Sequence, residues 1–461
     1  MKGNLSINSE NILPVIKKWL YSDTDIFVRE LVSNSCDAIT KLKKLADMGQ
    51  AGELPENEAY KINIELNKEE KVIKFIDNGI GMTGAEVQEY INQIAFSGAT
   101  AFMEQYGDKL DKENEIIGHF GLGFYSAFMV SDKVEINTLS FKEDEKAVKW
   151  VSEGGSTFEL TDGDKTSRGT EITLYINDSS KEYLEEYKLR GVIEKYCGFM
   201  PVGIYFDTLP KKEDEKQEEK EEGKEGSEEN ETPAEPINDP SPLWLKPANE
   251  CTDEEYKEFY RKVFMDFNEP IFWMHLNMDY PFRLKGILYF PKLKHELESI
   301  EGQVKLYNNQ VFIADNIKEV IPEFLLLLKG VMDCPDLPLN VSRSFLQNDS
   351  NVSKMSGYII KKVADKLNSI FKNDRETYNN YWNDINPFIK YGCIRERSFY
   401  DKVKESLVFK TTESAYLTIN EFTEKNKEKT GNKIYYVTNE QQQASYIKMF
   451  KDNGMEAAVL T

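Results

Sequence analysis

Glu30, Asn34, Asp37 and Lys41 recur at i, i+4, i+7 and i+11. On a helix such positions stack on one face, a turn apart. A carboxylate, an amide oxygen, a second carboxylate and an ammonium in one row could activate water, ligate a hard cation and meet phosphate. Spacing alone is also what the solvated stripe of an amphipathic helix gives, and Val28, Leu31, Val32, Ile39 and Leu42 take the other side. A second cluster, Asp77-Asn78-Gly79-Ile80-Gly81-Met82, follows a strand-like run. Its glycines permit positive φ and let backbone approach a ligand closely, and a carboxylate at a strand end can accept from an exocyclic amine. Asn-Gly also makes hairpin turns, but the next residues, Gly84-Ala-Glu-Val-Gln-Glu-Tyr-Ile, read as a helix and not a return strand. The third cluster is Gly118-His-Phe-Gly-Leu-Gly-Phe-Tyr-Ser-Ala-Phe128. A glycine-rich turn feeding an apolar helix aims backbone N–H groups at phosphate; taken alone it is also an ordinary helix entry.

The elements that must position these residues are an α+β set. A long helix is expected from a cap at Asp23 or Thr24 to about Gly49. Strands are expected at Tyr60–Leu66, Lys71–Ile76, Val134–Thr138 and Gly169–Ile176. Their alternation suits a sheet with one covered face. This first domain runs to about residue 208. Residues 209–238 form a charged linker with too little apolar surface to offset its ordering entropy. A second domain occupies 239–461: an α/β part to about 380, a helical connector to about 425, and a small α/β unit read as incomplete at the end. Its strands are expected at Phe282–Phe290, Val304–Tyr307 and Lys433–Thr438, with a helix near Gln441 to Asn453 and a final run at Glu456–Leu460.

Composition narrows the function. The formal net charge is −22 at pH 7, which opposes general binding to nucleic-acid phosphates. No run reaches the roughly 18 apolar residues of a membrane span. The N-terminus lacks the apolar core of a secretory signal. The five cysteines are odd in number, scattered and never in a C-x-x-C pair, as expected of reduced thiols in the cytoplasm.

Together the three clusters and Gly169-Thr170 resemble the Bergerat nucleotide fold of the GHKL ATPases, an α/β sandwich. Within that superfamily, Phe27-Val-Arg-Glu-Leu-Val-Ser-Asn, Asp77-Asn-Gly-Ile-Gly-Met, Ser97-Gly98, the glycine-rich run from Gly118 and Trp150-Val-Ser-Glu-Gly-Gly-Ser look like the ninety-kilodalton heat-shock chaperones of the bacterial HtpG type. Pro242-Leu-Trp, Leu306-Tyr, Asp336-Leu-Pro-Leu-Asn-Val-Ser-Arg-Ser-Phe-Leu-Gln and Lys433-Ile-Tyr-Tyr-Val-Thr resemble their middle domain.

The resemblance implies an ATP-dependent chaperone that binds ATP, ADP and Mg²⁺ and acts on unfolded or partly folded client proteins. Asp77 would read the adenine amine, with Gly79, Gly81, Met82 and Thr170 completing that end. Asn34 would ligate Mg²⁺, and Asp37 and Lys41 would lie along the nucleotide. Gly118, Phe120, Gly121, Leu122, Gly123 and Phe124 would surround the phosphates, with backbone donors at Gly121 and Gly123. Glu30 would be the general base. Arg343, assisted by Gln347, would reach the γ-phosphate as an arginine finger supplied in cis. Residues from about Ala95 to His119 would be a lid. Family members dimerise through a further domain, so this chain is expected to be largely monomeric and slow. Neither nucleic acid nor membrane is an expected partner. Three departures stand out: Asn92-Gln93 for the usual Gly-Thr, Phe96 for a lysine, and Gln310 for an arginine. Exposed aromatics such as Tyr378, Tyr381 and Trp382 are candidate client contacts, with core packing the competing role.

Two other readings remain, another GHKL enzyme and a holdase or scaffold without turnover. A sensor kinase needs a phosphoacceptor histidine ahead of the ATP domain, and none of His119, His275 and His295 stands there. A gyrase- or MutL-like enzyme needs a basic DNA path, which the second domain lacks. A nucleotide-independent holdase or scaffold would keep the fold without turnover.

Overall fold

The computed structural model describes residues 23–52, 58–93, 117–118, 121–155, 157–209, 235–292, 303–315, 320–325, 328–337, 350–431 and 433–460, with single positions at 96, 98, 102 and 339. Residues 210–234 of the linker expected at 209–238, Arg343 and Gln347, Phe120 and most of the expected lid lie outside the described residues. The chain divides into two compact units. The first is Met1–Lys246 with Leu306–Ala314 and Asp333–Gln347; the second is Pro247–Lys305, Asp315–Met332 and Asn348–Thr461.

The first unit opens with helix α1 (Ile26–Asp47), which has neither glycine nor proline inside it. Phe27, Val28, Leu31, Val32, Cys36, Ile39 and Leu42 on it are fully buried. The helix stops where Gly49 takes φ 68°, a conformation that glycine adopts without a Cβ penalty. Strands β1 (Lys61–Asn67) and β2 (Val72–Asp77) follow, then the short helix α2 (Gly84–Tyr90). Thr83 and Glu86 cap α2 reciprocally, so the chain leaves the Asn78-Gly79 turn as a helix and not as a hairpin.

The glycine-rich run enters a 3₁₀ turn at Gly123–Ser126 and only then α3 (Ala127–Val130). The apolar helix expected there is therefore short, because Val130 leads straight into β3 (Ser131–Leu139). Next come β4 (Val148–Ser152), β5 (Glu159–Asp162), β6 (Gly169–Ile176), α4 (Glu186–Cys197) and β7 (Gly203–Leu209). One seven-stranded sheet runs β5-β4-β3-β6-β2-β1-β7. Its pairs are antiparallel except β1 with β7. Ile62, Ile64 and Leu66 alternate inward along β1, the period of a half-covered sheet. Phe27 joins helix to sheet, edge-on to Phe75 at 6.3 Å and to Tyr183 at 5.1 Å.

Residues 235–246 stay with the first unit. The Asn238 side chain accepts from the Ile204 N–H at 2.8 Å and donates to the Met200 and Val202 carbonyls, each at 2.9 Å. The chain then builds the second unit with α5 (Asp253–Phe264), β8 (Phe272–Met278) and β9 (Leu284–Phe290). It returns to the first through Leu306–Ala314, carried by β10 (Gln303–Asn308) and β11 (Val311–Asp315). Asn309 and Gln310 between them both have positive φ, 50° and 63°, the geometry of a tight two-residue hairpin.

In the second unit β12 (Lys329–Asp333) and β8 flank β9. Helices α6 (Ser350–Asn373), α7 (Arg375–Arg395) and α8 (Arg397–Val403) form its helical part. Tyr378 and Trp382 are buried there at 1% and 3% exposure, and Tyr378 donates to the Ser406 carbonyl at 2.8 Å. They are core residues and offer clients no surface; Tyr381 is partly buried against Phe272. The small terminal unit has a four-stranded sheet, β14-β13-β16-β15 in the order of this numbering, built from β13 (Val408–Thr411), β14 (Tyr416–Thr418), β15 (Tyr436–Val437) and β16 (Ala458–Val459). Helices α9 (Ile419–Thr430) and α10 (Ala444–Asp452) accompany it. The strand-helix-strand run from residue 433 is present, with β15 and β16 parallel. Strands β13 and β14 fall where only helix was expected; four and three residues are too few to display a period of two.

Phe27→Ala removes a fully buried ring that ties α1 to β2. It should lower the stability of the first unit by about 3–5 kcal/mol, read as a drop in its urea midpoint at unchanged slope. A loss below about 1 kcal/mol would show that the cluster closes over the gap.

Candidate functional site

Helix α1 is fixed at its start by α4 and its approach. Tyr183 and Lys188 both donate to Asp25 Oδ1, at 2.7 and 3.0 Å, and Tyr196 donates to Asp23 Oδ2 at 2.8 Å. Two carboxylates at a helix N-terminus also suit its dipole. In its middle α1 lies against the 78–81 turn, where the Ile80 N–H donates to the Ala38 carbonyl at 3.1 Å. A Cβ on Gly79 would stand 2.7 Å from the Ala38 carbonyl carbon, so only glycine permits this approach. Gly81 has φ 63°, and a Cβ there would run into the Leu139 carbonyl oxygen.

Asp77 ends β2 opposite Thr170 of β6. It is 5% exposed. Its carboxylate accepts from the Gly79 N–H at 2.9 Å, and from the Ser35 hydroxyl and the Thr170 N–H. Burial pushes its pKa up to about 6 against the opposing pull of those donors. Beside it, Thr138 Oγ1 accepts from the Met82 N–H at 3.0 Å, lies 3.0 Å from Thr170 Oγ1 and donates to the Gly169 carbonyl at 3.2 Å. Asp77, Met82, Thr138 and Thr170 thus form one hydrogen-bonded floor.

The stripe on α1 faces the glycine-rich turn. A Cβ on Gly123 would lie 2.5 Å from Glu30 Oε2, and one on Gly118 would lie 3.0 Å from Asp37 Oδ2 and 3.6 Å from Asn34 Oδ1. Glu30 Oε1 accepts from Arg29 Nε at 3.0 Å and Nη2 at 2.8 Å. Asp37 is buried, and its two oxygens accept from the Ile117 and Gly118 N–H groups at 2.6 and 2.7 Å. Asp37 therefore holds the turn in place and has both oxygens committed to backbone. Lys41 Nζ lies 5.8 Å from the Phe102 ring centroid, and burial lowers its pKa against the pull of Asp37 and Glu86. Gly121 has φ 62°. The Phe124 ring is buried edge-on to Trp150 at 5.7 Å and Phe128 at 6.1 Å, so what it can give a ligand is backbone. Leu122 is partly buried, its carbonyl accepting from the Tyr125 N–H at 3.1 Å.

Of the expected site residues the first unit thus brings together Glu30 with Gly123, Asn34 and Asp37 with Gly118, and Asp77, Gly79, Gly81, Met82 and Thr170 about the turn after β2, while Lys41 faces Asp37 and Glu86. Ser35, Thr138 and Arg29 escape the sequence reading. Thr138 stands opposite Thr170 in the β3–β6 register, a clue available once that pairing is known. Ser35 stands beside Asn34 and turns its hydroxyl to Asp77. Among the described residues no group of three or more His, Cys, Asp or Glu is placed to hold a metal. Asn34 Oδ1, close to Gly118, suits a hard cation that takes most of its shell from phosphate and water.

Asp77 also makes stability depend on pH. Between the ordinary 3.8 and about 6 the folded chain keeps a proton that the unfolded chain has released. Stability falls as pH rises through this window, by roughly 3 kcal/mol from this group. Asp77→Asn does not titrate. Its stability relative to the parent should improve by roughly 1–3 kcal/mol between pH 4 and pH 7 in ligand-free denaturation. Parallel curves for the two proteins would show that the carboxylate is not desolvated.

A family model described as Hsp90 protein matches residues 205–461. One described as Histidine kinase-, DNA gyrase B-, and HSP90-like ATPase matches residues 21–155. The chain is 47% identical to the chaperone protein HtpG of Bacteroides thetaiotaomicron, over 100% of this chain and 66% of that protein. It is 44% identical to the chaperone protein HtpG of Porphyromonas gingivalis at the same coverage. It is 35% identical to that of Idiomarina loihiensis, spanning 73% of it. This chain thus has about two thirds of the length of the Bacteroides and Porphyromonas relatives. The first model alone covers more than half of the residues, the relatives align along all of them, and the chain belongs to the Hsp90 family.

Proposed function

We propose that the chain binds ATP in the first unit and hydrolyses it to drive a conformational cycle on unfolded or partly folded client proteins in the cytoplasm. The observation that carries this reading is the buried Asp77 carboxylate, set in a floor of Ser35, Gly79, Thr138 and Thr170. It stands at one end of a cradle whose other end is the Glu30–Asn34 stripe. Asp77 accepts from the adenine amine, Met82 lines the base, and Thr170 completes the adenine end. The backbone of Gly121, Gly123 and their neighbours meets the phosphates. Asn34 holds Mg²⁺, which when bound screens phosphate charge. Glu30 orients a water and takes its proton as the bond to the γ-phosphate breaks, giving ADP and phosphate. Arg343, assisted by Gln347, serves as the arginine finger for the same phosphate. The whole protein works as a homodimer, and neither nucleic acid nor membrane is a partner.

Calorimetric titration tests the adenine end. ATP should bind the parent about tenfold or more tightly than GTP, because an ionised acceptor is worth about 1.5–3 kcal/mol to an amine and opposes a carbonyl. Equal affinities would remove Asp77 from this role. Glu30→Ala should leave ADP binding intact and lower phosphate release by about 10²–10⁴-fold. A variant with parental turnover would remove the base.

A further inference from the structure

The hydrolytic end of the cradle is tied to a hairpin far away in sequence. Arg29 is 1% exposed, and two of its nitrogens close on Glu30 Oε1. This leaves Oε2 as the oxygen turned to Gly123. The Arg29 guanidinium carbon stands 5.9 Å from the centroid of the Tyr196 ring. A buried cation over a ring face is attracted by the ring quadrupole and follows the ring if it moves. Tyr196 is edge-on to Phe312 of β11 at 5.8 Å, and Phe312 is edge-on to Tyr307 of β10 at 5.7 Å. Tyr307 packs on Phe199 at 5.5 Å and on Trp244 at 5.3 Å. The hairpin tip is pinned as well. The Gln310 N–H donates to Asp333 Oδ2 at 2.9 Å, and its side-chain amide, oriented to satisfy both, donates to the Phe199 and Pro240 carbonyls at 2.7 and 3.2 Å. All these residues belong to the first unit. Gln310 is also one of the departures from the resembled pattern, which has an arginine there.

We propose that Tyr196 is a positioning residue for hydrolysis, which carries the seating of the β10–β11 hairpin through Arg29 to Glu30. The inference rests on Glu30 being the base. Adenine binding does not share the route: Asp77 is held by Ser35, Gly79 and Thr170, none of them in the aromatic series. The hairpin therefore governs turnover and leaves affinity alone. The ring does this, not the hydroxyl, which is engaged by Asp23 and Lys195.

The test uses the full chain, with steady-state phosphate release from Mg·ATP and calorimetric Kd for ADP. Tyr196→Leu should lower kcat about three- to tenfold, the scale of a sub-ångström misplacement of a base, with Kd within about twofold of the parent. Tyr196→Phe should keep the parental kcat. Gln310→Ala, which loosens the tip without opening the core, should lower kcat in the same direction. In an Arg29→Met background Tyr196→Leu should add nothing. The proposal is overturned if Tyr196→Leu and Gln310→Ala both turn over like the parent. It is equally overturned if Tyr196→Phe loses as much as Tyr196→Leu, if Kd weakens in proportion to kcat, or if the Arg29 and Tyr196 effects add. Glu30→Ala separates the layers. Lost turnover there with parental Tyr196→Leu sinks only the positioning role; retained turnover there sinks the base and the positioning role together.

Discussion

Burying the Asp77 carboxylate is the constraint from which most of the first unit follows. A charged group removed from water needs its own hydrogen-bond donors. Asp77 draws them from three elements: the turn after its own strand, the middle of α1, and β6. These converge only if β2 and β6 pair in the one register that sets Asp77 opposite Thr170, since a slip of one residue would turn every side chain to the other face. They also converge only if α1 comes down onto the 78–81 turn, which a side chain at Gly79 would prevent.

Once α1 is held there, its other residues have little freedom. The clamp of α4 on Asp23 and Asp25 fixes the start of the helix, and the Ile80–Ala38 hydrogen bond fixes its middle. Glu30 and Asn34 lie between those two points. One turn further on, Asp37 reaches the backbone of residues 117 and 118 and so locates the glycine-rich turn against the stripe. The Asp77 and Glu30 carboxylates are thus both set by one rigid rod.

What could be read from the sequence divides along physical lines. Periodicity announces α1, because 22 residues without a breaker give many turns to count, and alternation announces β1, β2 and β6. The stripe from Glu30 to Lys41 follows from helical geometry alone. Which way each member faces does not. Asp37 and Asn34 differ by three positions on one helix, yet Asp37 is buried against a backbone 80 residues away. Thr138 and Ser35 are invisible for the same reason: their partners are long-range. Phe124 sits in a motif that suggests ligand, but its ring belongs to the core. The strands of the small terminal sheet are too short to carry a period, and no local signal tells that residues 306–314 pack with the first unit.

The two ends of the cradle are built from different materials, and this has a consequence. The Asp77 end relies chiefly on backbone N–H groups, close-packed glycines and strand register, with the Ser35, Thr138 and Thr170 hydroxyls beside them. The Glu30 end carries a side-chain ion pair, Arg29 with Glu30, lying over an aromatic ring. Side chains change rotamer at a small fraction of the cost of changing a sheet register. As a nucleotide site, which is the proposed reading, the cradle would hold its ligand through motions that switch Glu30 in and out of line. On the proposed reading, binding would stay constant while turnover responded to whatever seats the ring.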